Sequence, residues 1–195
     1  MIKYILLDVH GVLTDGNERK RLLTHLRRKR GINYTLHNLI WQKYINDLDK
    51  KIKIPKDYIK IINNTFNTHF SIKEYYGMFL KQIKTNNILL KKMNNITDKK
   101  ICIVSDTLPP ISSGLNKVFG PDFKKYKKFY SFRFGATKAE GLLKQVLINL
   151  KAEPAECLLI DDSEKNIEVA IKTGINGIVF KTNKALFNEL QKLDI

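Results

Sequence analysis

The sequence predicts an α/β fold: a parallel β-sheet with helices on both faces, interrupted once by an inserted α-helical block. Three observations carry this reading. Short apolar runs (YILL, ICIV, CLLI) recur along the chain with amphipathic stretches between them. The runs are apolar at every position, not every second one, as in strands covered on both faces. Between residues 17 and 96 the alternation stops, and the apolar spacing there is helical only.

Taken in order, Tyr4 to Leu7 reads as a buried strand ending in Asp8, followed by the turn-rich Gly11-Val-Leu-Thr-Asp-Gly16. Within the inserted block, Leu36, Leu39, Ile40, Tyr44 and Leu48 lie at helical spacing over residues 34–48. Pro55 suits a first helical turn, leading into Tyr58, Ile59, Ile61 and Ile62. Ser71 followed by Glu74 is a capping-box signature for another helix. Strand character returns at Ile101-Cys-Ile-Val104, and a helix over 109–119 stops at Gly120-Pro121. A short strand is expected over 129–134. Leu142, Leu143, Val146, Leu147 and Leu150 form one face of a helix, and Cys157 to Ile160 is a further buried strand. A helix over 163–172 ending at Gly174, a strand over 178–180 and a helix over 185–193 complete the pattern. The expected domains are an α/β core from 1–16 and 97–195, and a helical cap from 17–96.

At 195 residues the chain suits one domain carrying a smaller insertion. No apolar run approaches the ~18–20 residues of a membrane helix, so no membrane association is expected. Met1 to Leu7 has no small-residue cleavage site and does not read as a signal peptide. Cys102 and Cys157 sit inside apolar runs, as buried thiols of a reducing, cytoplasmic protein would. The absence of CxxC, HExxH, GxSxG, Walker and GxGxxG motifs leaves zinc, serine-hydrolase, P-loop and dinucleotide chemistry without support. The net charge of +16 is uneven: residues 16–96 hold 18 Lys+Arg against 5 Asp+Glu, the remainder 17 against 14. The basic segment predicts an anionic partner: a phosphorylated metabolite, nucleic acid or an acidic surface. Nothing in the sequence sets an oligomeric state.

Three strands end in chemistry: Asp8 after YILL, Ser105-Asp106 after ICIV, and Asp161-Asp162 after CLLI. Parallel strands place their carboxyl ends on one edge, where ligands bind in open α/β sheets. Gathered carboxylates would hold a hard divalent cation such as Mg²⁺. The competing reading for Asp162 or Ser163 is a plain helix N-cap.

These motifs resemble those of the haloacid-dehalogenase-like (HAD) hydrolases, whose fold is Rossmann-like. Asp8-Val-His-Gly-Val-Leu-Thr-Asp15 is similar to the family's first motif, Ser105 to its second, Lys138 in Gly135-Ala-Thr-Lys138 to its third, and Leu158-Leu-Ile-Asp-Asp-Ser-Glu-Lys-Asn166 to its fourth. A helical insertion directly after the first motif is a cap in that family. The resemblance implies that Asp8 is a nucleophile forming an aspartyl-phosphate. It implies that Asp8, the backbone carbonyl of His10 and Asp162 hold Mg²⁺, with Asp161 assisting. It further implies that Ser105 and the backbone N–H of Asp106 bind phosphate, and that Lys138 neutralises the nucleophile and the phosphoryl group. Three positions depart from the pattern. His10 stands where the family's phosphatases carry a general acid/base Asp and its dehalogenases an aromatic residue. Asp106 stands where Asn is common, and Ala139 replaces a common Pro. The expected function is a Mg²⁺-dependent phosphatase with His10 in proton transfer. The alternatives are a dehalogenase-type hydrolase, and a catalytically silent relative binding nucleic acid or a partner through its basic cap.

Five of the six arginines, Arg19, Arg21, Arg27, Arg28 and Arg30, precede Gly31. They predict an anion-binding face on the cap, against the alternative of a solvated helix surface. His25, His37 and His69 lack metal-ligand spacing and read as surface or partly buried cap residues, and Trp41 as cap core.

Overall fold

In the computed structural model, which describes residues 1–195, five parallel strands form one sheet. They are β1 (Tyr4–Leu7), β2 (Lys100–Ser105), β3 (Lys127–Tyr130), β4 (Cys157–Asp161) and β5 (Asn176–Val179), in the order β3-β2-β1-β4-β5. Strand order reverses at β1, which pairs with β2 on one side and β4 on the other. Leu7 stands in register with Ile103 and Ile160, so all three strands run out together at one edge.

The two faces are buried by different helices, which is why the strands lack polar alternation. Ile5 and Leu7 join one buried cluster, and Leu6 joins another. In chain order the helices are α1 (Glu18–Arg30), α2 (Tyr34–Asp49), α3 (Pro55–Phe66), α4 (Ile72–Leu80), α5 (Asn87–Asn94), α6 (Pro109–Phe119), α7 (Pro121–Lys124), α8 (Ser131–Phe134), α9 (Leu142–Leu150), α10 (Glu164–Lys172) and α11 (Asn183–Lys192). α5, α6 and α11 pack on the face of Ile5 through Leu89, Met93, Leu115 and Leu190. α9 and α10 cover the face of Leu6 through Leu142, Leu143, Val146 and Ile167. No helix is long and apolar enough to cross a membrane.

The inserted block is helical, as its periodicity predicts. α1 to α4 close around an aromatic centre of His37, Tyr58, Phe66, Tyr75 and Tyr76. His37 is fully buried there, accepting from or donating to Tyr75 Oη at 2.8 Å, and burial depresses its pKa to about 4. It is therefore core, deeper than the surface or partly buried position expected of it. Trp41 is half-buried: it packs edge-on against Tyr58 of the core, as expected, and also lines the groove between the helical block and the sheet edge. Leu36 and Leu39 are exposed, leaving Ile40, Tyr44 and Leu48 as the packed face of α2. Ser71 caps α4, its side chain accepting from Glu74 N at 3.1 Å.

The block docks onto the core where α4 meets α6. A Cβ at Gly114 would overlap the Leu80 side chain, so glycine permits the close approach. α5 is tied to the core at both ends. Asn86 donates to the carbonyls of Val12 and, through its backbone, Leu13 (3.0 and 2.8 Å), and Asn94 donates to Asp122. The expected strand over 129–134 is shorter. β3 ends at Tyr130, and Ser131–Phe134 turns into one helical turn closed by Gly135 at φ 65°.

Candidate active site

Asp8 is the first residue beyond β1, its backbone N–H donating to Ile160 O of β4 at 3.0 Å. That bond fixes the carboxylate at the reversal point between β1 and β4, where an open α/β sheet forms its crevice. Asp161 ends β4 and Asp162 follows it. One carboxylate oxygen from each of Asp8, Asp161 and Asp162 lies within 4.8 Å of the others. Asp8 and Asp161 are buried, and Asp162 is exposed.

Lys138 organises this cluster. Its side chain is 2% exposed, and Nζ lies 2.8 Å from Asp8 Oδ1 while donating to Asp161 Oδ2. Burial by itself would lower a lysine pKa. The carboxylates of Asp8, Asp161 and Asp106 more than reverse that and hold it above its ordinary value. For Asp8, burial pushes the carboxyl upward and the Lys138 charge opposes it. Asp161 is saturated: Ser163 N donates to it at 2.9 Å and Asn166 Nδ2 at 3.2 Å, in addition to Lys138. Asp162 carries none of these bonds. The cap of α10 comes from Ser163, which accepts from Asn166 N at 3.4 Å, so Asp162 is released from the capping role. Burial and the neighbouring charges of Asp8 and Asp161 push its carboxyl up to about 6.

The turn after Asp8 brings Asp162 close. Gly11 has φ 85°, and a Cβ there would overlap the Asp162 carboxylate. Glycine at this position thus answers both a backbone and a space requirement. Thr14 Oγ1 steadies the turn by accepting from the backbone N–H of Gly11 and of Gly16, each at 3.3 Å.

At the end of β2, Ser105 is fully buried and its Oγ has no partner. Asp106 is turned toward the lysine: its Oδ1 accepts from Lys138 N at 2.9 Å, and burial lifts its pKa to about 6. The extra acid at this position thus anchors the Lys138 segment.

His10 makes a contact that sequence reasoning missed. Its Nδ1 is hydrogen-bonded to Glu18 Oε1 on the first turn of α1, and Glu18 is 3% exposed. Burial would lower the His10 pKa, but the Glu18 bond and charge, with Asp8 and Asp49, raise it overall. Glu18 shifts the opposite way, below its ordinary value: burial raises it, but the His10 bond and charge together with its own backbone N–H more than offset that. Asp49, the last residue of α2, lies across the groove, and burial pushes it up to about 8. One signal pointed to these residues: Glu18 and Asp49 are two of only five acids in the basic segment 16–96.

The arginine cluster divides. Arg21 pairs with Asp15 at 2.7 and 2.8 Å and donates to Gln82 O, Arg27 and Arg28 are exposed, and Arg30 lies 3.9 Å from Glu74. Arg19 alone reaches the groove beside His10.

No family model matches the chain, and no curated protein matches it in sequence. Solved structures do. A HAD-like family hydrolase of Porphyromonas gingivalis superposes with a TM-score of 0.78 at 16% identity, covering 99% of this chain and 98% of its own. A HAD family enzyme of Bacteroides thetaiotaomicron, solved with magnesium and inorganic phosphate, has a TM-score of 0.75 at 22% identity, covering 94% and 96%. The L-2-haloacid dehalogenase of Xanthobacter autotrophicus has a TM-score of 0.68 at 15% identity, covering 97% and 82%. Likeness at these identities and coverages is likeness of architecture: the chain has the fold of the haloacid-dehalogenase-like hydrolases.

Proposed function

We propose that the protein is a Mg²⁺-dependent phosphatase of a small phosphorylated compound, acting through an aspartyl-phosphate on Asp8. The observation that carries this reading is the cluster at the β1–β4 crevice: Asp8, Asp161 and Asp162 within 4.8 Å, with the buried Lys138 amine against two of them. The donor set suits a hard divalent ion, because all donors are oxygens and Gly11 leaves room for Asp162 to approach Asp8. Asp8, Asp162 and the backbone carbonyl of His10 would hold Mg²⁺. The bound ion supplies charge screening and polarises the phosphoryl oxygen. Magnesium and inorganic phosphate in the Bacteroides thetaiotaomicron enzyme support this assignment.

The remaining roles belong to the chain. Asp8 attacks phosphorus, forming an acyl–phosphate bond as the P–O bond to the leaving group breaks. Asp161, saturated by Lys138, Ser163 and Asn166, positions the lysine that neutralises the transferring phosphoryl group. The unpartnered Oγ of Ser105 is a phosphate-oxygen donor, joined by the backbone N–H of Asp106. With Nδ1 held by Glu18, His10 offers Nε2 to the reaction. As imidazolium it protonates the leaving oxygen; as neutral imidazole it takes a proton from the water that attacks the aspartyl-phosphate. The Glu18–His10 pair favours a working proton-transfer group over a silent relative, and the Asp161–Asp162 acids count against a dehalogenase, which needs no metal. Residues 17–96 act as the cap, with α5 as its return anchored to the core, and the protein works in the cytoplasm.

Hydrolysis of an aryl phosphate, followed with and without Mg²⁺, tests the reading. The wild type should turn over only with the metal, and Asp8→Asn should remove turnover while the circular dichroism spectrum stays native. Activity persisting in Asp8→Asn, or without metal, would refute the assignment.

A further inference from the structure

A cavity of about 240 Å³ opens beside His10, between the cap and the core. Cap residues Glu18, Arg19, Trp41, Ile45, Asp49 and Phe79 line one side, and Asp106, Thr107, Leu108 and Ile111 of the core line the other. Arg19 is its feature of interest. The guanidinium carbon sits 5.3 Å from the centroid of the Trp41 ring, a cation–π contact that helps hold the group in place. Its Nε and Nη2 are buried and have no hydrogen-bond partner. These two nitrogens form one edge of the guanidinium fork, the edge that matches two oxygens of one anion. The nearest acid in sequence cannot serve it, because Glu18 is committed to His10 and Thr14. Arg21, two residues on, shows the contrast, with a carboxylate and a carbonyl already bound.

Asp49 lines the same cavity. Asp49 is 8% exposed, and its Oδ1 has no partner. Buried donors and acceptors without partners are costly, so both groups point to a ligand that completes them.

We propose that this cavity takes the leaving group of a phosphomonoester that carries a carboxylate, with Arg19 Nε and Nη2 binding the two carboxylate oxygens. The proposal rests on the phosphatase reading given above. A carboxylate fits better than a second phosphate. The cavity holds one unpaired cation, Arg19, among the carboxyl groups of Glu18, Asp49 and Asp106. A phosphate would bring nearly two negative charges against that single cation. The volume lies below the ~300–1,000 Å³ of ordinary ligand pockets, which selects a short leaving group. Ile45, Phe79, Leu108 and Ile111 supply apolar wall for its carbon chain, and Asp49 Oδ1 offers a second polar anchor.

The test compares O-phospho-hydroxy acids of two to four carbons with their primary amides. The wild type should prefer the acid over the matching amide in kcat/KM by ~10–100-fold, the range of a charged hydrogen-bonded pair. Arg19→Gln should reduce that preference to near unity, and Arg19→Lys should restore part of it. Equal rates on acid and amide, or a preference that survives Arg19→Gln, overturns the proposal. The acid-against-amide comparison needs no variant, so it stands even if Arg19→Gln fails to fold. Calorimetry in Asp8→Asn, where chemistry is blocked, separates the two claims. Acid bound at least tenfold tighter than amide, without wild-type turnover of any phosphate ester, keeps the carboxylate site and removes the phosphatase reading. Equal affinity for acid and amide removes the carboxylate site whatever the turnover.

Discussion

In the proposed mechanism proton transfer falls to His10, whose protonation is set by a neighbour on α1. The raised pKa of His10 comes mainly from Glu18, against the opposing effect of burial. Glu18→Gln removes that charge, so the His10 pKa falls. Because the protonated ring serves the leaving group, the alkaline limb of the kcat–pH profile should move to lower pH. The effect should be largest for alkyl phosphates, whose leaving oxygen needs a proton. His10→Ala should lose ~10²–10⁴-fold on such esters and little on an activated aryl phosphate. A pH–rate profile unchanged in Glu18→Gln would show that Glu18 plays no part in proton transfer. The strand-end residues Asp8, Ser105, Asp161 and Asp162 were legible in the sequence because a parallel sheet brings its strand ends together whatever the helices do. Glu18, Arg19 and Asp49 were not, because their places depend on how α1 and α2 dock against the core. The five clustered arginines illustrate the limit. Arg27 lies eight residues beyond Arg19 on α1, ~12 Å along the helix, and helical composition alone does not say which end meets the site.

At the scale of elements, the turn between β1 and α1 carries more than its length suggests. It follows Asp8 directly, carries His10 and leaves space for Asp162. Gly11→Ala should therefore damage the site more than the fold. Left-handed backbone costs a non-glycine residue ~1–2 kcal/mol, and the methyl group would also displace the Asp162 carboxylate. Calorimetric Mg²⁺ affinity should weaken at least tenfold, while the melting temperature falls by several degrees. Unchanged metal affinity would separate Asp162 from the metal. Element types were legible where periodicity was strong, as in α9 and the apolar strands β1, β2 and β4. They were less so where aromatic residues serve strand and helix alike: Phe129 and Tyr130 end β3, while Phe132 and Phe134 already belong to α8. Leu36 and Leu39 match a helical stripe, yet both face solvent, because α2 buries only the Ile40, Tyr44 and Leu48 side.

At the scale of the whole molecule, the fold sets the Asp8 carboxylate at the sheet edge beside a groove, with the inserted helical block on the other side of that groove. The basic charge of the cap supplies a long-range attraction for anions. Of the clustered arginines only Arg19 lines the groove. The close contact of Leu80 with Gly114 holds the cap against the core, so the cavity beside His10 is part of the folded protein. The account comes down to one covalent event, transfer of a phosphoryl group to Asp8. Acid quenching during steady-state turnover of an aryl phosphate with Mg²⁺, followed by peptide mass spectrometry, measures it directly. A phosphoryl group is expected on the peptide containing Asp8, lost on treatment with hydroxylamine and absent from Asp8→Asn. Turnover with no phosphoryl group on that peptide, or with the group on another residue, would contradict it.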